Sequence, residues 1–168
     1  MVVFREELVG TYQKIHLFNK EKLWFSPGEK KLKVFEVNNM KIGVMICFDW
    51  IFPEVARSLA LQGADIIAHP SNLVLPYCQN AMKIRCLENR IYAVTANRIG
   101  EEKRGEDQFN FTGQSQITSY DGKVLSSAPK DKSIVHSVDI DLSLAHDKNL
   151  NAYNDLFKER KPEFYNLN

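Results

Sequence analysis

Two hydrophobic periodicities alternate along the chain. Residues 32–37 and 41–47 are largely apolar runs parted by Asn38 and Asn39, which reads as two strands joined by a turn. Pro53 suits a first helical turn, Val55 with Leu59 and Ala56 with Ala60 recur at helical spacing, and Gly63 offers a left-handed end. The pattern predicts a helix of roughly ten residues. Residues 64–69 (ADIIAH) return as a buried strand, with PSN as the loop at its end. Met82, Ile84, Leu87 and Ile91, set among Lys83, Arg85, Glu88 and Arg90, predict a second amphipathic helix over 80–92, and YAVTAN over 92–97 a further strand. Strands alternating with helices predict an α/β fold.

The pattern then changes. GEEKRGEDQF over 100–109 is nearly free of apolar residues and reads as a surface loop able to border a site. GQSQITSY, KVLSSA and IVHSVDID, separated by Asp121–Gly122 and PKDK, predict a closing meander. Residues 142–165 suggest helical pieces carrying Leu150, Tyr153, Leu156 and Phe157, then Pro162 and the aromatics Phe164 and Tyr165. At the other end, MVVFREELVGTYQK opens already inside a strand and turn, as though an element preceded it.

Composition narrows the function. A chain of 168 residues, 44% hydrophobic and 26% charged, suits one soluble domain over 1–168. With 22 basic against 21 acidic residues there is no electrostatic reason to expect nucleic acid or an anionic membrane, and a small molecule is the expected partner. The apolar runs are too short to span a bilayer and the N-terminus lacks the regions of a signal peptide, so a cytoplasmic location is expected. Cys47, Cys78 and Cys86 are an odd number without CxxC spacing, which argues against a disulfide framework or a zinc site.

Candidate chemistry centres on Cys47. A strand ending there would deliver the thiol to the carboxyl end of a sheet, where open α/β folds place ligands, with Lys14 and Glu21 upstream as polar companions. A lone cysteine in such a strand is ordinarily structural, and Cys86, within an amphipathic helix, reads that way. His16 or His69 would form a Cys/His dyad with Cys47 only if a ring nitrogen reached the thiol; a histidine at a strand end is more often structural. Glu54 with Arg57, and Arg85 with Glu88, read as ion pairs bracing the site edge.

Taken in order, GTYQKIHLF, FSPGE, ICFDWIFPE, GADIIAHPSN, RCLENRIYAVTANRIG and FTGQSQI resemble the nitrilase superfamily of carbon–nitrogen hydrolases over nearly the whole chain. ICFDW with HPSNLVLPY is similar to archaeal-type nitrilases and amidases. The resemblance implies an α-β-β-α sandwich that forms a homodimer by packing helices on helices. It implies a Glu, Lys, Cys triad in which Cys47 is the nucleophile and Lys14 the lysine, with Glu21 about where many members carry an additional glutamate. The triad glutamate of the family precedes the first residue of this sequence. The chain is therefore expected to be the C-terminal portion of the family domain, incomplete at its N-terminus by roughly ninety residues.

The implied reaction is hydrolysis of a small nitrile or aliphatic amide to a carboxylic acid and ammonia, through a thioimidate or thioester on Cys47. Lys14 and the backbone N–H of Phe48 would stabilise the oxyanion, Pro70, Ser71 and Asn72 would shape the substrate pocket, and the loop over 103–111 would help. No metal or organic cofactor is needed. The isolated chain is expected to be inactive for want of the general base. Two other readings compete: a truncated or degenerate member acting only through dimerisation or a regulatory contact, and a thiol-based redox protein, which the absence of a nearby resolving cysteine disfavours.

Overall fold

The computed structural model describes residues 1–166. The chain opens with a hairpin, β1 (Val2–Phe4) and β2 (Glu7–Gly10), and a single helical turn, α1 (Glu21–Trp24). Then come β3 (Phe35–Val37) and β4 (Met40–Val44), a 3-10 turn at Cys47–Ile51, α2 (Pro53–Leu61), β5 (Ile66–Ser71), α3 (Cys78–Asn89) and β6 (Tyr92–Asn97). A second hairpin, β7 (Glu101–Arg104) and β8 (Asp107–Asn110), precedes β9 (Gln116–Thr118), β10 (Val124–Ser127), the short helix α4 (Ser143–His146) and a 3-10 turn at Pro162–Phe164. Among the described residues, no helix is long and apolar enough to cross a membrane.

The main sheet has six strands in the order β10-β9-β6-β5-β4-β3. Its centre, β4-β5-β6, is parallel, with Ile42 opposite Ile66 and Ile66 opposite Tyr92; β3 and β9 flank it antiparallel. Parallel neighbours need a crossover, and α2 and α3 supply the two. Pro53 begins α2 and Gly63, at φ +86°, follows its end, as the pattern predicts.

The strands' twofold alternation gives the sheet two unlike faces. Ile67, His69, Ala93, Thr95, Gln116 and Thr118 are buried on the side that α2 and α3 cover, around a core of Met45, Leu59, Met82 and Ile91. Burial of each large apolar side chain there contributes about 1.5–3 kcal/mol. Val94 and Ala96 stand exposed on the other face. The chain is thus α/β, with a helix layer on one side of its main sheet.

Several expectations need correction. The strand drawn over 41–47 stops at Val44, because the N–H of Ile46 turns away to Asp49 Oδ2 at 2.8 Å. Residues 32–34 lie outside β3, and Pro70 and Ser71 belong to β5 and not to a loop. The segment over 100–109 contains most of a β-hairpin, β7–β8, whose half-buried positions, Glu102, Asp107 and Phe109, are mostly charged and so carry no hydrophobic alternation. IVHSVDID pairs with no strand among the described residues. Glu54 and Arg57 form no ion pair; Arg57 instead donates to the Glu88 carbonyl at 2.6 Å and lies over the Phe157 ring.

Candidate active site

The carboxyl ends of β4, β5 and β6 open into a cleft of about 530 Å³. Lys14, Glu21, Cys47, Pro70, Ser71 and Asn72 all line it. Phe48 lies beside it, in a small hollow shared with Cys47 and Phe18. The site residues expected from the sequence are therefore brought together, by segments far apart in the chain.

Cys47 begins the 3-10 turn in the left-handed region, at φ +47°. A non-glycine residue there costs of order 1–3 kcal/mol and persists only where its surroundings hold it. Asp49 is the main holder. Its fully buried carboxylate accepts from the Tyr12 hydroxyl (2.7 Å) and the Ile46 N–H (2.8 Å) through Oδ2, and from the His16 N–H (3.3 Å) through Oδ1, which also lies 2.9 Å from His16 Nδ1. Burial, and then the Asp49 carboxylate, push the Tyr12 phenol up, so Tyr12 stays a donor. Behind the turn, Arg85 of α3 donates to the Trp50 carbonyl at 3.3 Å and pairs with Glu88 at 3.0 Å, as the spacing of Arg85 and Glu88 predicts.

Neither histidine forms a dyad with the thiol. His16 stacks on Phe52, centroids 3.7 Å apart, and faces Asp49. His69 is buried, and burial lowers its pKa and keeps it neutral; its Nε2 faces the Cys47 carbonyl at 2.9 Å and its Nδ1 faces Thr95 Oγ1 at 3.2 Å. It fixes the main chain at Cys47 and leaves the sulfur alone.

Lys14 reaches the cleft on a loop pinned by the Gly28 N–H donating to the Lys14 carbonyl at 2.8 Å. Gly28 is required there by space: a Cβ would lie 2.5 Å from the Gln13 carbonyl oxygen. The Lys14 ammonium donates to Glu21 Oε2 at 2.5 Å, and the same oxygen accepts from the Phe18 N–H at 2.7 Å. Burial raises the Cys47 thiol pKa above its ordinary value; backbone hydrogen bonding from Asn72 and Phe48 and the charge of Lys14 offset this in part. At rest the sulfur is a thiol, 3.7 Å from the Asn72 carbonyl oxygen. Cys78 and Cys86 are buried and pushed much higher.

The cleft also contains residues that the sequence reading missed. Lys20, Phe25 and Arg98 line it, beside Glu102, Arg104, Phe109 and Phe111 from the segments expected to border it. Asn97 ties the walls together, accepting from the Leu73 N–H at 2.9 Å and donating to Thr112 Oγ1 at 2.8 Å. The only signal for Asp49 was an acid in an apolar string, two residues after Cys47.

Residues 2–148 match the carbon–nitrogen hydrolase family. The chain is 52% identical, over 98% of its length, to a nitrilase of Pyrococcus abyssi, of which it covers 62%. Its fold superposes with TM-score 0.83 on the crystal structure of a carbon–nitrogen hydrolase from Helicobacter pylori G27, at 24% identity, covering 96% of this chain and 61% of that one. A variant of the amidase from Nesterenkonia sp. AN1, with acrylamide added at its active site cysteine, matches at TM-score 0.69 and 28% identity over 75% of this chain and 50% of its own. The chain spans about 60% of the length of the Pyrococcus relative and the Helicobacter structure. With its profile match covering most of its length, the chain belongs to the carbon–nitrogen hydrolase family, within the nitrilase superfamily.

Proposed function

We propose that this chain carries the nucleophile and the oxyanion-stabilising groups of a hydrolase acting on small nitriles or aliphatic amides. The observation that carries the reading is the meeting of Cys47, Lys14 and Glu21 in one cleft at the carboxyl end of the parallel strands. The Cys47 sulfur attacks the amide carbon, and the Lys14 ammonium and the Phe48 N–H stabilise the negative oxygen that forms. Ammonia leaves with the proton taken from the thiol, giving a thioester. Water then releases the acid and restores the thiol. A nitrile would pass through a thioimidate instead. Glu21, with one oxygen held by Lys14 and the Phe18 N–H, orients the lysine.

A buried thiol with a raised pKa needs a base. The cleft-lining carboxylates are both engaged by cations, Glu21 by Lys14 and Glu102 by Arg98 and Arg104. We therefore assign the base to a glutamate outside these residues, within the length by which the relatives exceed this chain, and expect the 168 residues alone to be inactive. The same added length would cover the open sheet face at Val94 and Ala96, completing a sandwich. We also propose a cytoplasmic homodimer in which the C-terminal segment takes part, since Tyr153 and Phe164 are 92% and 76% exposed.

The test is ammonia release from a panel of small aliphatic amides and nitriles. The 168-residue chain should give none above blank, and the chain extended by the leading segment of the Pyrococcus relative should turn over. Cys47→Ala and Lys14→Ala should each abolish that turnover. Activity that survives Cys47→Ala would refute the assignment.

A further inference from the structure

The Phe48 N–H can serve an oxyanion only while the Cys47–Phe48 peptide keeps one orientation. That peptide is trans, so its carbonyl and its N–H point in opposite directions. The Cys47 carbonyl faces His69 Nε2 at 2.9 Å. The N–H therefore projects the other way, on the side of the sulfur, where it lowers the Cys47 thiol against the effect of burial. The turn itself does not use this N–H, since its first bond runs from the Asp49 N–H to the Ile46 carbonyl at 3.2 Å. Asp49 holds the backbone before the sulfur, through the Ile46 N–H, and His69 meets the peptide that follows it.

The surroundings of His69 set it for this task. It stands on β5 opposite Thr95 of β6, and both side chains are buried. A carbonyl oxygen can only accept, so Nε2 carries the ring proton, and Nδ1, 3.2 Å from Thr95 Oγ1, accepts from that hydroxyl. Ser71 Oγ lies 3.0 Å from the same Nε2 and takes a share of its proton. Bonds within a 3-10 turn have poor geometry, so a further donor on the Cys47 carbonyl decides how the peptide sits. It also polarises the peptide and makes the N–H at its other end a stronger donor. We infer that His69 is a positioning residue of the active site: its Nε2–H, given its tautomer by Thr95, locks the Cys47–Phe48 peptide so that the Phe48 N–H faces the reacting atoms. This deepens, and rests on, the reading of Phe48 as an oxyanion donor.

The test compares three substitutions that differ in one donor. His69→Gln places an amide N–H where Nε2–H stood, His69→Asn reaches Thr95 and not the Cys47 carbonyl, and His69→Phe keeps the bulk of the ring with no donor. Burial keeps His69 neutral, so none of the three changes a charge near the thiol, and Lys14 and Glu21 are common to all. The first readout is the pH profile of Cys47 labelling by acrylamide in the 168-residue chain, with near-ultraviolet circular dichroism to show that each variant is folded. His69→Asn and His69→Phe should move the midpoint up by about one pH unit, equivalent to about tenfold less thiolate at a fixed pH below it, and His69→Gln by much less. In the chain extended by the leading segment of the Pyrococcus relative, the same two should lower kcat by about tenfold or more with KM little changed, and His69→Gln should recover most of the loss. A midpoint that stays in place in whichever of His69→Asn and His69→Phe folds, or that moves as far in His69→Gln, would overturn the proposal. Failure of both to fold would make His69 a structural residue only and overturn it too. A shifted midpoint in a chain whose lengthened form hydrolyses nothing would keep His69 as the holder of this peptide and remove the hydrolase reading. Turnover that depends on Cys47 and ignores all three substitutions would do the reverse.

Discussion

The Cys47 turn and the β7–β8 hairpin face the same cleft and are held in opposite ways. Asp49 at the turn is fully buried and engages Tyr12, His16 and Ile46, while Trp50 beside it is 5% exposed. The hairpin is held through exposed ion pairs, such as Lys20 with Asp107, whose side chains are 55% and 38% exposed. A buried polar network fixes one geometry, because every group in it loses its partner if the turn moves. A solvated rim is exchangeable, since water replaces each lost pair. In the function proposed above, the chemistry falls to the first.

The comparison can be broken most forcibly at Asp49. Asp49→Ala leaves the Ile46 N–H and the Tyr12 hydroxyl without their acceptor in a buried site, and should cost about 3 kcal/mol in urea unfolding, more than Asp49→Asn. Arg85→Met removes donors to the Trp50 carbonyl and the Glu88 carboxylate and should cost about 1–2 kcal/mol on the same assay. Cys47→Gly should work the other way. It relieves a left-handed residue at φ +47° and should raise stability by up to about 1 kcal/mol while removing the reactive sulfur. At the hairpin, Lys20→Met should change stability by less than about 1 kcal/mol, and salt should erase even that. A rim substitution as damaging as Asp49→Ala would erase the distinction between the two regions.

The same contrast explains what was legible in the sequence. The β4-α2-β5-α3-β6 run declared itself through Pro53, Gly63 and the apolar periods, because burial on one helix face and in a parallel sheet writes a regular pattern. Cys47 was placed at the right end of the right strand but inside it. Ile46 and Cys47 continue an apolar run, and only the capture of the Ile46 N–H by Asp49 ends the strand early. The β7–β8 hairpin left no pattern, since its half-buried face is filled mostly by the charged Glu102 and Asp107 and not by apolar residues. IVHSVDID has the alternation and finds no partner strand among the described residues. Arg98 gave no sign of pointing into a cleft, because that depends on where the end of β6 lies in space. Lys14 and Glu21 were singled out through the family resemblance, and their 2.5 Å contact, seven residues apart through a loop, is a fact of tertiary structure.

The central claim is that Cys47 is the one thiol built to react, and labelling with acrylamide, mapped by peptide mass across pH, tests it most directly. The account predicts an adduct on Cys47 and none on the buried Cys78 or Cys86. Because burial raises the Cys47 pKa, its thiolate forms only above the ordinary thiol value of about 8.5, so labelling of the 168-residue chain should be slow at neutral pH and climb through and beyond that value. An adduct on Cys78 or Cys86 in the folded chain, or a Cys47 that stays unlabelled at high pH, would contradict it.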